Sequence, residues 1–114
     1  MPGIVSYGAY VPPTRLGFAT IAGRPANVGP ERAVAWADED AVTMAVAAGH
    51  NALRGFDRAD VDALLFASTS HPFREKQSAA LVAKALDLRR DVATADVAGS
   101  LRAGAGALRA AFDA

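Results

Sequence analysis

The spacing of hydrophobic and polar positions changes several times along this chain, and each change marks an element. Residues 3–11 (Gly-Ile-Val-Ser-Tyr-Gly-Ala-Tyr-Val) are an apolar and aromatic run closed by Pro12-Pro13, which reads as a first strand. Residues 17–23 suit a short helix. Residues 24–36 hold two prolines, a glycine and mixed charge, so they read as a loop, and Trp36 is expected to cap the edge of the core. Asp38-Glu39-Asp40 then opens a helix, with carboxylates in its first turn complementing the helix dipole. Val42, Ala45, Val46, Gly49 and Leu53 recur at helical spacing, and Gly55 is the natural stop.

The second half repeats the alternation. Residues 62–68 are short and apolar, the pattern of a strand buried on both faces. Thr69-Ser70-His71-Pro72-Phe73 forms a polar loop at its C-terminal end. Residues 77–86 predict a helix that buries Leu81, Val82, Ala85 and Leu86. Residues 91–97 predict a third strand, and the last helix runs from Ser100 to about Ala111. The order β-α-β-α-β-α, with a short extra helix after the first strand, predicts an α/β layer architecture with parallel pairs and right-handed crossovers. Residues 1–114 read as one domain, without internal repeat, low-complexity tract or linker.

Composition narrows the chemistry. Twelve basic and twelve acidic residues cancel, which argues against a general electrostatic grip on nucleic acid or anionic lipid. The chain has no cysteine, so disulfides, thiolate metal sites and thiol catalysis are excluded, and a cytoplasmic location is expected. No secretory signal and no apolar run long enough for a membrane span is visible. His50 and His71 are far apart in sequence, so a histidine-pair metal site is not expected. Asp38, Glu39 and Asp40 surround a helix start and read as caps rather than as ligands of one metal ion. Gly99 to Gly104 has the glycine spacing of a phosphate-binding loop, but Ala105-Gly106 follows where lysine and a hydroxyl are required, so that motif fails.

Four segments together resemble the N-terminal part of 3-hydroxy-3-methylglutaryl-CoA synthases of the archaeal type, and more distantly the β-ketoacyl-ACP synthase III group of the thiolase superfamily. They are the run from Gly3 to Pro12, Asp38 to Ala45, Ser68 to Phe73, and Ala95-Asp96 with the Gly/Ala-rich helix after it. The resemblance implies the first portion of a thiolase-like N-terminal half-domain, with a mixed, mostly parallel sheet and helices on both faces.

That family's nucleophile is a cysteine at a helix N-terminus, and a glutamate in the loop of the Ser-x-Ser-His-Pro type is its acid/base. The resemblance places Leu101 at the cysteine position and Thr69 at the glutamate position, so no catalytic residue is intact. The family's histidine and asparagine are expected in a C-terminal half beyond these residues.

Leu101 also reads as an ordinary core residue. Ser100 is an alternative nucleophile, although one residue along a helix turns a side chain by about 100°. His71 and Arg102 are weak candidates for substrate binding, against a loop-fixing role and a surface charge respectively. Arg109, with Arg102, is a candidate for the phosphates of coenzyme A. Acyl-CoA is the implied substrate and no other cofactor is expected.

The Ala/Gly-rich helix 100–113 is expected to leave an apolar flank exposed and to meet a protein partner or a second copy. Two functions follow. One is a hydroxymethylglutaryl-CoA-synthase-like acyltransferase segment, inactive as it stands. The other is a non-catalytic companion of an active thiolase-fold protein or of a zinc-ribbon/OB-fold protein.

Overall fold

The computed structural model describes residues 2–23 and 29–114. The chain order is β1 (Arg15–Gly17), α1 (Phe18–Ile21), β2 (Glu31–Ala33), α2 (Ala41–Ala52), a 3-10 turn (Arg58–Asp60), β3 (Ala63–Ala67), α3 (Ser78–Ala85), β4 (Ala93–Val97) and α4 (Ala103–Asp113). β3 and β4 pair in parallel, with Ala63 opposite Ala93 and Ala67 opposite Val97. β1 and β2 form a separate antiparallel ribbon.

The pleat sends Leu64 and Phe66 to one face of the β3–β4 pair, where α2 and α3 pack over them. Phe66, Ala79, Val82 and Leu86 are the buried centre of that cluster, and Val42, Ala45, Val46 and Leu53 of α2 lie against it at the spacing expected. α4 packs against both strands and buries Ala103 and Ala107, outside that cluster. Helices therefore cover both faces of the parallel pair, and the α/β class holds.

α2 begins as a capping box. Asp40 Oδ1 accepts from Thr43 N at 2.9 Å, and Thr43 Oγ1 accepts from Asp40 N at 2.8 Å. The carboxylates thus precede the helix, and its first turn holds none. α3 has no cap of its own, because the Gln77 side chain makes no cap bond. Asp96 on β4 supplies it: its two carboxylate oxygens accept from Ser78 N at 2.8 Å and Ala79 N at 2.7 Å. Arg58 closes the other end, donating through Nε to Leu86 O at 2.6 Å, while its Nη2 lies 3.0 Å from His50 Nδ1 on α2.

Several expectations are corrected. Residues 3–11 are extended but join no sheet, because a strand needs a partner ladder and none of the described residues offers one. They lie across α2 instead. Ser6 Oγ donates to Ala52 O at 2.7 Å, Asn51 Nδ2 donates to Ala9 O at 3.0 Å, and Tyr10 OH donates to Glu39. Gly8 is the point of closest approach, since a Cβ there would stand 2.4 Å from Ala52 N and 2.5 Å from Ala48 O. Within the expected loop 24–36, Glu31–Ala33 pairs with β1, and residues 24–28 lie outside the described residues. Trp36 does not cap the core edge; it is 62% exposed, with its backbone N–H held by Glu39. β3 is not buried on both faces, because α4 offers it only small side chains, and of its five residues only Phe66 is fully buried. α3 presents Ser78, Ala79, Val82, Ala83 and Leu86 to the interior, which leaves Ala85 exposed and Leu81 half-buried. The Asp96 cap sets that rotation by aiming Ser78 and Ala79 at the sheet.

Two predictions follow from these tethers. Asp96→Ala removes both acceptors of the first turn of α3 and should destabilise the chain by about 2–3 kcal/mol, read as a shift of the urea midpoint. Asp96→Asn, which keeps one acceptor, should cost about half of that. A change below about 0.5 kcal/mol for Asp96→Ala would show that α3 holds its place without the cap.

The second concerns Glu39. The Tyr10 hydroxyl, and after it the Trp36 N–H, hold its carboxyl below the usual range, and the same bond to Glu39 raises the Tyr10 phenol above its ordinary value. A lowered folded value means that the tether is present above the ordinary carboxylate range and is lost as pH falls through the folded value. For the phenol the contribution is lost on the alkaline side. Trp36 fluorescence should therefore step below about pH 4.3, and Glu39→Gln should abolish the step. A step of unchanged size in that variant would assign it to another group.

Candidate functional site

Two loops meet at the C-terminal edge of the parallel pair, where open α/β sheets place their ligands. One follows β3 and carries Thr69, Ser70 and His71. The other follows β4 and carries Gly99, Ser100, Leu101 and Arg102 on its way into α4. The register sets Ala67 beside Val97, and Ser68 N donates to Val97 O at 3.2 Å, so both loops leave from one pinned edge.

The β3 loop is held from within and from below. Ser68 Oγ accepts from Ser70 N at 3.0 Å. His71 turns back under the loop, with Nδ1 3.6 Å from Asp96 Oδ2 and Nε2 3.4 Å from Val97 O. Its ring stands edge-on to Phe66, with centroids 5.0 Å apart and planes at 84°. Only 13% of the His71 side chain is exposed, so the ring is engaged with the scaffold. This is the loop-fixing role rather than that of a group aimed into solvent. Thr69 and Ser70 are exposed at the tip.

The β4 loop is a tight turn. Gly99 has φ +85°, a conformation that a side chain would strain. Ser100 accepts from Arg102 N through Oγ at 3.0 Å and from Ala103 N through its carbonyl at 3.1 Å. The turn consumes residues 99–102, so α4 starts at Ala103 rather than at Ser100. Leu101 is not a core residue: at 96% exposure it stands in the open in front of the first turn of α4. The Ser100 hydroxyl is engaged by the turn, not held by a base.

Arg102 is exposed at the N-cap position of α4. Arg109 lies seven residues on, about 10 Å along the axis, and sits 3.9 Å from Asp113 in an exposed i,i+4 pair. The structure therefore brings Thr69, Ser100, Leu101 and Arg102 to one edge and leaves Arg109 on a remote surface. His50 pairs with Arg58 at the far end of α2, away from His71. Among the described residues no three histidine, aspartate or glutamate side chains gather to hold a metal ion.

Sequence reasoning quoted Asp96 without giving it a role. Its signal was a carboxylate in the middle of an apolar strand, which a fold tolerates only when both oxygens find donors. Tyr10 and Glu39 were also missed as a pair, because residues 29 apart carry no periodic signal.

No family model matches the chain. The hydroxymethylglutaryl-CoA synthase of Methanocaldococcus jannaschii is 40% identical to it over 116 aligned positions, covering 91% of this chain and 33% of that protein. The Pyrococcus horikoshii enzyme of that name is 39% identical, over 96% of this chain and 33% of its own length. Among solved structures, the β-ketoacyl-[acyl carrier protein] synthase III of Thermus thermophilus superposes with a TM-score of 0.82 at 26% identity, over 98% of this chain and 38% of that one. MvaS in complex with 3-hydroxy-3-methylglutaryl coenzyme A superposes with a TM-score of 0.84 at 24% identity, and bears on the fold alone. The chain spans about a third of the length of the curated relatives it matches. Its sequence and its thiolase-like α/β fold thus make it a relative of the archaeal hydroxymethylglutaryl-CoA synthases over one third of their length.

Proposed function

We propose that this chain provides the acyl-site edge of a hydroxymethylglutaryl-CoA-synthase-like condensing fold from which the reactive groups have been substituted, so that it forms no acyl-enzyme itself. The observation that carries this reading is Leu101. It stands exposed in the turn between β4 and α4, beside the loop that carries Thr69, in a chain without cysteine. Acyl transfer from a thioester needs a nucleophile, already ionised or deprotonated by a base as it attacks, that adds to the carbonyl carbon and expels the coenzyme A thiolate. An alkyl side chain has no electron pair to give. The Thr69 hydroxyl does not ionise near neutral pH and so is no ordinary acid/base, and the Ser100 hydroxyl oxygen accepts from the Arg102 N–H. Loss of two members of such a set removes catalysis by that route.

A second reading has its own support. α4 leaves Leu108 half-exposed and Phe112 37% exposed while it buries only Ala103 and Ala107. A helix with that flank suits a companion that packs on an active thiolase-fold partner, on a zinc-ribbon/OB-fold protein, or on a second copy. The two readings agree on the absence of acyl transfer and differ in whether a partner regains activity from this chain.

Incubation with acetyl-CoA followed by intact-mass measurement is expected to leave the protein mass unchanged. A stoichiometric acetyl adduct that maps to Ser100 would overturn the proposal. Leu101→Cys should introduce an accessible thiol one residue before the N-cap of an eleven-residue helix. The positive end of the dipole, with Arg102 beside it, should lower the thiol pKa below the free value of about 8.5. The alkylation rate against pH measures this. A pKa at or above the free value would show that Leu101 does not occupy an anion-stabilising position. Condensation should not return in this variant, because Thr69 still offers no carboxylate.

A further inference from the structure

β4 has a free side. Ala93 N donates to Asp62 O at 3.1 Å and Ser68 N donates to Val97 O at 3.2 Å, so Ala93 and Val97 turn their backbone groups toward β3. A parallel ladder engages alternate residues of a strand, so Thr94 and Asp96 turn theirs to the outer side. Among the described residues no strand lies there and no backbone group meets them. The five-residue register runs without a bulge, and residues 93–97 hold neither proline nor lysine. Their one charge, Asp96, is spent on the first turn of α3. The usual devices that protect a free edge are therefore missing from the strand itself.

Gln77 stands where such a device would act. It occupies the N-cap position of α3, yet its side chain makes no cap bond. It reaches the strand edge instead. Nε2 donates to Thr94 O at 3.3 Å, and Oε1 accepts from Thr94 Oγ1 at 2.7 Å. One amide thus holds both the carbonyl and the hydroxyl of one residue, which fixes its orientation. Thr94 O is an acceptor that an added strand would need, and here it is already taken. The placement of α3 does not require this contact, because Asp96 supplies the cap. The clasp is therefore free to serve the edge.

We propose that the Gln77–Thr94 clasp is an edge guard, an intramolecular contact that holds the outer side of β4 closed to strand addition. Pairing along this edge requires the Gln77 amide to leave Thr94 O first. The inference stands apart from the roles of Leu101 and Thr69.

The test uses the 114-residue chain and three variants of it, with hydrogen exchange followed at the Thr94 and Asp96 amides as protein concentration rises. In the native sequence the exchange of these two amides should not depend on concentration. Gln77→Ala removes the clasp, and protection there should then rise by on the order of tenfold across the series. Gln77→Ser also removes it, while placing a good cap at the start of α3. This variant should melt no lower than the native chain and still show the concentration-dependent protection, which separates an edge role from support of the helix. Gln77→Lys puts a donor and a charge back at the edge and should behave as the native chain does. Three results overturn the proposal: exchange at Thr94 and Asp96 that stays independent of concentration in Gln77→Ser, association of that variant without protection at these amides, or concentration-dependent protection already present in the native chain.

Discussion

One carboxylate ties this structure together. Asp96 sits in the middle of β4 and gives both oxygens to the first turn of α3. That helix has no cap of its own, so its position on the sheet depends on a residue eighteen positions later. The bond also fixes the connection between the strands, since α3 is the crossover from β3 to β4. Gln77 and Thr94 reinforce the same junction, with Thr94 Oγ1 donating to Gln77 Oε1 at 2.7 Å. His71 then leans on the same carboxylate from the loop after β3. Strand, crossover helix and loop are therefore referenced to one group, and the pinned C-terminal edge is the consequence. A charge in a strand interior is costly unless paired, and here backbone donors and the helix dipole supply the pairing.

That arrangement explains what was legible beforehand. α2, α3 and β4 each carry a local signal: a carboxylate cap, a 3.6-residue apolar stripe, or a short β-rich run. The family resemblance rested on the runs Gly3 to Pro12, Asp38 to Ala45 and Ser68 to Phe73, and on Ala95-Asp96 with the helix after it. The parallel pairing of β3 with β4 was expected from the alternation of elements, but other features set by distant partners did not show. The run from Gly3 to Val11 has strand chemistry, but pairing is a property of two segments and the sequence of one does not contain the other. The three-residue pairing of β1 with β2 is too short for any period to register. Leu101 reads as a core residue from its type, yet its burial depends on what covers the turn rather than on leucine itself. The rotation of α3 could not be read from its own apolar residues, because Asp96 decides which of them face the sheet.

The candidate edge separates scaffold from chemistry. Gly99 makes the turn after β4, Ser100 closes it with a side-chain to backbone bond, and His71 holds the neighbouring loop down. None of these contacts involves the side chains of Leu101 or Thr69. A thiol or a carboxylate at those two positions is therefore not required for the backbone to adopt this shape. That independence is the physical reason why the backbone of this edge does not depend on which side chains stand at those two positions.

The distribution of apolar volume points the same way. Among the described residues, four of the seven buried hydrophobic ones are alanines, while Val5, Tyr7, Trp36 and Leu101 are mostly exposed. Burial stabilises roughly in proportion to the apolar area removed from water, and alanine contributes least. The largest potential contributions of this chain are therefore unrealised in its own fold. Capping bonds such as those of Asp96 and Asp40 consequently carry an unusual share of its cohesion, because they act whether or not the apolar rows are covered. Covering the rows would add hydrophobic stabilisation without changing a single capping bond. The frame is set by local hydrogen bonds, and the depth of its energy well by whatever polypeptide packs against it.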